Sequence, residues 1–239
     1  MTATGPYNSP MALAVRPWGS LFWSLWAYWF LIPLLFQFVQ AFAPDLYELA
    51  GSDAAGGARA LWLVFLIAEG SALVFMIIWA ERIGAGSFAG VMRINPGVAG
   101  LSLVGGPMVM YIAFVFTAAI FANGDPNWAI RDGIDLDIYN PETAGILLFV
   151  SIVVVAPIFE EVALRGIGMG CLLARGWEPG MVIGLNALIF TLMHTQYNPP
   201  ALIPIFITGA FLGWLRVRTG SIAAPILAHM GANGFQFIG

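Results

Sequence analysis

The sequence predicts an all-α fold, a polytopic transmembrane helical bundle of about seven spans, and three observations carry that prediction. Of the 239 residues, 60% are hydrophobic and only 9% are charged, too few charges to clothe a water-soluble domain of this length. Seven apolar stretches, at about residues 21–42, 60–80, 100–122, 143–173, 181–195, 201–215 and 221–238, alternate with polar segments. Most approach the ~20 residues that a helix needs to cross a ~30 Å hydrocarbon core. The arginines outside these stretches fall mainly on one side of the implied membrane, as loop cations do in polytopic proteins.

Residues 1–20 are polar and rich in Gly and Pro, with no short apolar core leading to a small-residue cleavage site. They read as a cytoplasmic N-terminal tail, and the first span as an anchor that is not removed. Trp18, Phe22, Trp23, Trp26, Tyr28 and Trp29 suit an interfacial belt where that span begins. Residues 21–142 hold three transmembrane helices with their loops. The segment 123–142, the longest polar one, lacks an apolar period and reads as a solvated connection rather than a cap over substrate. Between the fifth and sixth stretches, both short, Gln196-Tyr-Asn-Pro-Pro200 should form a tight turn at a membrane face.

With the N-terminus inside and alternating spans, Arg16, Arg82, Arg93, Arg175, Arg216 and Arg218 lie inside, and only Arg59 and Arg131 outside. This asymmetry sets an N-in, C-out topology. Every basic residue is Arg, and the net charge is −4, which excludes a basic face for nucleic acid. The single cysteine, Cys171, permits neither a disulfide framework nor a Cys-based zinc site and reads as a small buried hydrophobe.

An ionisable group facing lipid costs kilocalories, so those that persist in apolar spans face the bundle interior. Here they are Glu69, Glu160, Glu161, Arg165, His194 and His229. Glu161 and Arg165 are i, i+4 with the carboxylate first, the favourable order for an intrahelical ion pair, so Glu161 reads as structural. Glu160 is turned about 100° from it and can face a cavity. His229 and Asn233 share a helix face and can both aim donors at a developing oxyanion. Phe190 is spaced to pack on His194 and fix its ring. A buried structural histidine is the plainer reading of either imidazole alone, and it weakens where two histidines and a glutamate pair occur together in so apolar a chain.

Phe159-Glu-Glu-Val-Ala-Leu-Arg165-Gly resembles the EExxxR motif, Phe190 to His194 the FxxxH motif, and His229 to Asn233 the HxxxN motif of the CPBP (CAAX protease and bacteriocin-processing, or Abi) intramembrane proteases. Gly209 to Gly213 followed by Thr219-Gly-Ser-Ile222 is similar to that family's run into its last catalytic helix. The resemblance covers residues 143–239 and implies a CPBP-like catalytic helical core there, in an integral protein of a prokaryotic cytoplasmic membrane. It implies that Glu160 is the general base, that His194 helps it polarise water, and that His229 and Asn233 stabilise the oxyanion. Glu161, Arg165 and Phe190 become structural support.

The implied function is an intramembrane endopeptidase acting on a membrane-associated protein or peptide through a Glu/His-activated water. A non-catalytic membrane scaffold that partners another membrane protein is the alternative, and a small transporter with a proton relay is a third reading. Glu160, His194 and His229 also form a His2Glu donor set that suits zinc, although no H-E-x-x-H is present. Absence of a tightly bound metal is favoured over one divalent ion. Glu69, in Ile67-Ala-Glu-Gly-Ser71, matches no motif and reads as an interhelical hydrogen-bonding residue. Gly209 and Gly213 read as a close helix crossing, and Gly166-Ile-Gly-Met-Gly170, inside a span, is no nucleotide loop.

Overall fold

The computed structural model describes residue 34 and residues 54–82, 99–125, 128–130, 140–194 and 196–235. The N-terminal tail, the aromatic belt, the first apolar stretch except Leu34, and the loop charges Arg16, Arg93 and Arg131 lie outside the described residues. Among the described residues the fold is helical, with one isolated bridge between Ile130 and Tyr197. The helices are α1 (Ala54–Arg82), α2 (Ala99–Phe121), α3 (Pro141–Phe149), α4 (Ala156–Glu161), α5 (Met169–Ala174), α6 (Pro179–Leu192), α7 (Leu202–Thr219) and α8 (Ala223–Phe235).

Four stretches are long and apolar enough to cross a bilayer: Gly56–Ile78, Val104–Phe121, Ala144–Leu173 and Pro199–Thr219. This is an integral membrane protein built as a helical bundle. Val104, Phe116 and Ile120 on α2 are each more than two-thirds exposed, a face that lipid solvates and water would not. Among the described residues the expected fifth and seventh spans appear as helices of 14 and 13 residues, against the ~20 that a full crossing takes. The expected sixth span extends to Thr219, where Gly220 at φ 63° closes it in the left-handed conformation.

The expected fourth span is one long run from α3 through α5, and its geometry is not uniform. Asn140 caps α3 by accepting from the Glu142 N–H at 2.9 Å, with Pro141 in the first turn. Gly145, at φ 59° and ψ −143°, bends the helix soon after. Two π-helical segments, Val150–Val155 and Val162–Gly168, then flank the short α4. Such segments interrupt the regular i→i−4 ladder and change which residues face a neighbour. Within a bilayer, main-chain groups outside a regular ladder need partners from the protein. Those partners come from other helices: Asn233 Nδ2 donates to Ile152 O at 2.9 Å, Asn186 Nδ2 to Leu164 O at 3.1 Å and Arg216 Nε to Arg165 O at 3.2 Å.

The long run packs on α1 through a core of Ala68, Ala72 and Met76 against Phe159, Val162, Ala163 and Ile167. Helix α8 lies against α2, α7 and α4, and small residues permit the close approaches. A Cβ on Gly106 would come within 2.8 Å of Ala228 Cα and nearer still to its carbonyl. Because the obstacle is backbone, it cannot swing away. Gly106→Ala is expected to destabilise the fold by about 1–3 kcal/mol, seen as a lower Tm of purified protein in detergent. An unchanged Tm would show that α2 and α8 can separate freely. The Gly209/Gly213 pair makes a crossing within the chain, where a Cβ on Gly209 would meet Phe190 Cδ1 at 3.0 Å and Ala187 Cα at 3.3 Å.

Two expectations about the polar segments need correction. Part of the loop 123–142 is held down: Asn198 donates from its backbone N–H to Ala129 O, and from Nδ2 to the carbonyls of Trp128 and Ile130. Ala129 is buried and Trp128 packs on Phe114, so this part is not simply solvated. Arg216, counted above as an inside loop cation, is buried, because its guanidinium reaches the Arg165 carbonyl in the second π segment. It is therefore a bundle-interior group rather than a topological signal.

Candidate active site

Glu160 and Glu161 are the last two residues of α4, set between the π segments. Glu161 is fully buried, and its Oε1 accepts from Arg165 Nη1 at 2.8 Å while standing 3.0 Å from His229 Nδ1. Arg165, also fully buried, sends Nη2 to the Gly209 carbonyl at 3.0 Å and lies over the Phe190 ring with Cζ 4.7 Å from its centroid. The close α6–α7 crossing brings Gly209 O within that reach. One guanidinium thereby ties the Glu-bearing run to both α6 and α7.

Glu160, 5% exposed, faces the other side of the same imidazole: its Oε2 is 3.8 Å from His229 Nε2. That is too long for a direct hydrogen bond and wide enough to ask whether a water lies between. His229 spans the two neighbouring carboxylates, one ring nitrogen toward each. A carboxylate accepts but cannot donate, so its Nδ1 is assigned the hydrogen and the neutral ring keeps a lone pair on Nε2.

His194 follows α6 in the turn toward Tyr197. Its Nδ1 is 2.7 Å from the Phe190 carbonyl, an acceptor, which assigns the hydrogen to Nδ1 and the lone pair to Nε2. The Phe190 ring is 4.6 Å from the His194 ring and 5.6 Å, edge-on, from the His229 ring. Tyr197 stacks beyond His194 at 6.1 Å. The structure thus sets Arg165, His194 and His229 around the Phe190 ring, with Glu161 and Glu160 on the two sides of the His229 imidazole. Asn233 shares α8 with His229, and one of its two amide hydrogens is bonded to Ile152 O.

Residues 142–235 match the family model for type II CAAX prenyl endopeptidase, Rce1-like. This agrees with the CPBP resemblance, and the Rce1-like region contains all seven residues just described. An uncharacterized 24.3 kDa protein of Escherichia coli is 32% identical over 90 residues, which are 37% of this chain and 42% of that protein. The chain therefore spans less than half the length of that curated relative. No solved structure matches.

Whether this Rce1-like site fits a metal can be judged from its donors. Among the described residues, no three His, Cys, Asp or Glu side chains gather closely enough to hold a metal ion. The donor set as built does not fit a metal cage.

Two polar residues of the Rce1-like region carry contacts that no motif signals. Asn186, on α6, binds the Leu164 carbonyl, and Arg216 binds the next carbonyl along, that of Arg165. The only sequence signal for Asn186 is an amide in an otherwise apolar helix, which implies a buried partner without naming it. Outside the membrane-spanning run, Glu178 caps α6, its Oε2 accepting from the Met181 N–H at 2.8 Å. The backbone N–H groups of Gly180 and Met181 hold its carboxyl below the usual carboxylate range.

Proposed function

We propose that this protein is an intramembrane endopeptidase that hydrolyses a peptide bond of a membrane-associated substrate, with Glu160 as general base. The observation that carries the reading is that His194 and His229 both pack on Phe190, with Glu160 beside His229, inside the bundle and within the Rce1-like region. Glu160 and the bare Nε2 of His194 are acceptors able to hold and orient a water. The water oxygen attacks the peptide carbonyl carbon as its proton passes to Glu160. Glu160 then returns that proton to the leaving nitrogen, the C–N bond breaks, and the products are a carboxyl terminus and an amine. No serine or cysteine nucleophile is needed.

The developing oxyanion requires donors at about 2.7–3.1 Å. The second Asn233 amide hydrogen can serve. His229, held by the Glu161 carboxylate beside its Nδ1, can donate from Nε2 only as an imidazolium. Glu161 and Arg165 hold the ring in place. The substrate class follows from the family description, which names CAAX prenyl endopeptidases: a lipid-bearing or membrane-resident peptide cleaved near the bilayer surface. The working topology is N-terminus inside, in a prokaryotic cytoplasmic membrane.

The test compares membrane-associated peptides from cells making the wild-type protein with those making Glu160→Gln at equal abundance. New termini are expected in the wild type that are missing in the variant. Identical termini in both would remove the endopeptidase reading and favour a scaffold.

A further inference from the structure

Asn186 on α6 and Arg216 on α7 are buried and have no part in the chemistry above. A polar side chain among apolar helices needs a partner inside the bundle, and theirs are consecutive carbonyls of the second π segment. Asn186 Nδ2 donates to Leu164 O at 3.1 Å, and Arg216 Nε to Arg165 O at 3.2 Å. Leu164 O also accepts from the Met169 N–H, the i→i+5 bond of a π turn. A carbonyl oxygen has two lone pairs, so the turn and the amide share it. Two different helices thus seat a donor on adjacent peptide units of one turn. That turn carries Arg165, whose Nη1 donates to Glu161 Oε1 at 2.8 Å, and the same oxygen stands 3.0 Å from His229 Nδ1. A shift of the Arg165 backbone therefore passes through the ion pair to the imidazole beside Glu160.

We infer that Asn186 and Arg216 are positioning residues of the active site: they fix the π turn at Leu164 and Arg165, and through Arg165 and Glu161 they set the orientation of the His229 imidazole. Neither touches substrate or the reacting atoms. The turn cannot slip toward a regular α register without disturbing both side-chain bonds and the i→i+5 bond at once. Asn233 pins the first π segment through Ile152 O, so the short α4, with Glu160 and Glu161 at its end, is held on both sides by side chains of other helices. The kinetic consequence rests on the endopeptidase reading, whereas the coupling of the turn to His229 does not.

The experiment uses the full chain in proteoliposomes, below the Tm of every variant, with an internally quenched peptide carrying a prenylated cysteine three residues from its C-terminus. Asn186→Leu replaces the donating amide with a methyl group, and Arg216→Met places a methyl group where Nε stands. Each is expected to lower kcat by roughly 10- to 100-fold, the scale of a catalytic group moved from its place, with KM little changed. Arg216→Gln returns an N–H donor at the same distance along the side chain and should regain part of kcat. Residues that serve stability alone predict a lower Tm with wild-type kcat, and that result overturns the inference. A kcat no higher in Arg216→Gln than in Arg216→Met overturns it for Arg216.

Magnetic resonance of protein carrying isotope-labelled histidine provides a readout that needs no turnover. The chain has two histidines, so the imidazole signal that survives in His194→Ala belongs to His229. Its Nδ1–H resonance should move in Asn186→Leu and in Arg216→Met, and return toward its wild-type position in Arg216→Gln. If the wild type leaves the probe intact while this signal moves, the endopeptidase reading is at fault and the coupling stands. A His229 signal unmoved in both apolar variants sinks the coupling whatever the kinetics.

Discussion

Glu160→Gln should lower peptide hydrolysis by at least roughly 10²-fold, and up to about 10⁴-fold, the range contributed by a positioned general base, while the protein remains folded in the membrane. The amide is nearly isosteric with the carboxyl group it replaces. It cannot accept the proton that the attacking water must release. The support network runs through the neighbouring residue, whose Glu161 Oε1 reaches both Arg165 and His229. The loss should therefore fall on kcat and leave Tm near the wild-type value. His194→Ala should behave alike, since the lone pair on its Nε2 is held toward the site by the Nδ1 contact with Phe190 O. Glu161→Gln makes the useful contrast, because it strips the charge partner from a buried arginine and should lower Tm first. Hydrolysis of the quenched prenyl peptide, read beside thermal melts, separates these cases. Wild-type turnover by Glu160→Gln would overturn the assignment of the base.

The class of the fold was legible because a bilayer imposes a simple rule: apolar stretches of sufficient length must be helices. The candidate site was legible for a related reason. In a chain with few charges, each ionisable residue inside a span needs an explanation, and helical spacing alone pairs Glu161 with Arg165 and turns Glu160 elsewhere. Sequence spacing could not reveal that residues 150–155 and 162–168 are π-helical. The i, i+4 reading assumes 3.6 residues per turn, and local departures appear only when distant side chains such as Asn186, Arg216 and Asn233 are seen on the carbonyls of this run. The same blindness put Arg216 among the loop charges. Contacts distant in sequence, such as Gly106 on Ala228, leave no local pattern at all. Their sequence signal, a glycine among many, fits several uses equally well.

Arg165→Met is expected to destabilise the protein by about 3–5 kcal/mol, the usual cost of leaving one member of a buried ion pair without its partner. At roughly 2–4 °C per kcal/mol for a chain of this size, Tm should fall by on the order of 10 °C. Arg165 and Glu161 are both fully buried, at 0% exposure, so water cannot replace the missing guanidinium. The same substitution removes the donor to Gly209 O and the cation over the Phe190 ring, loosening α6 and α7 from the Glu-bearing run. Lysine should not restore the wild type, because one ammonium cannot reproduce a planar fork that reaches Glu161 and Gly209 O while stacking on a ring. The double variant Arg165→Met with Glu161→Gln should regain part of the lost Tm, since it buries no unpaired charge, although His229 then loses the carboxylate that orients it. Stability and catalysis would thus separate, with Tm recovering and hydrolysis not. If the double variant melts no higher than Arg165→Met alone, the two residues are not coupled as drawn, and the damage comes from packing around the arginine stem.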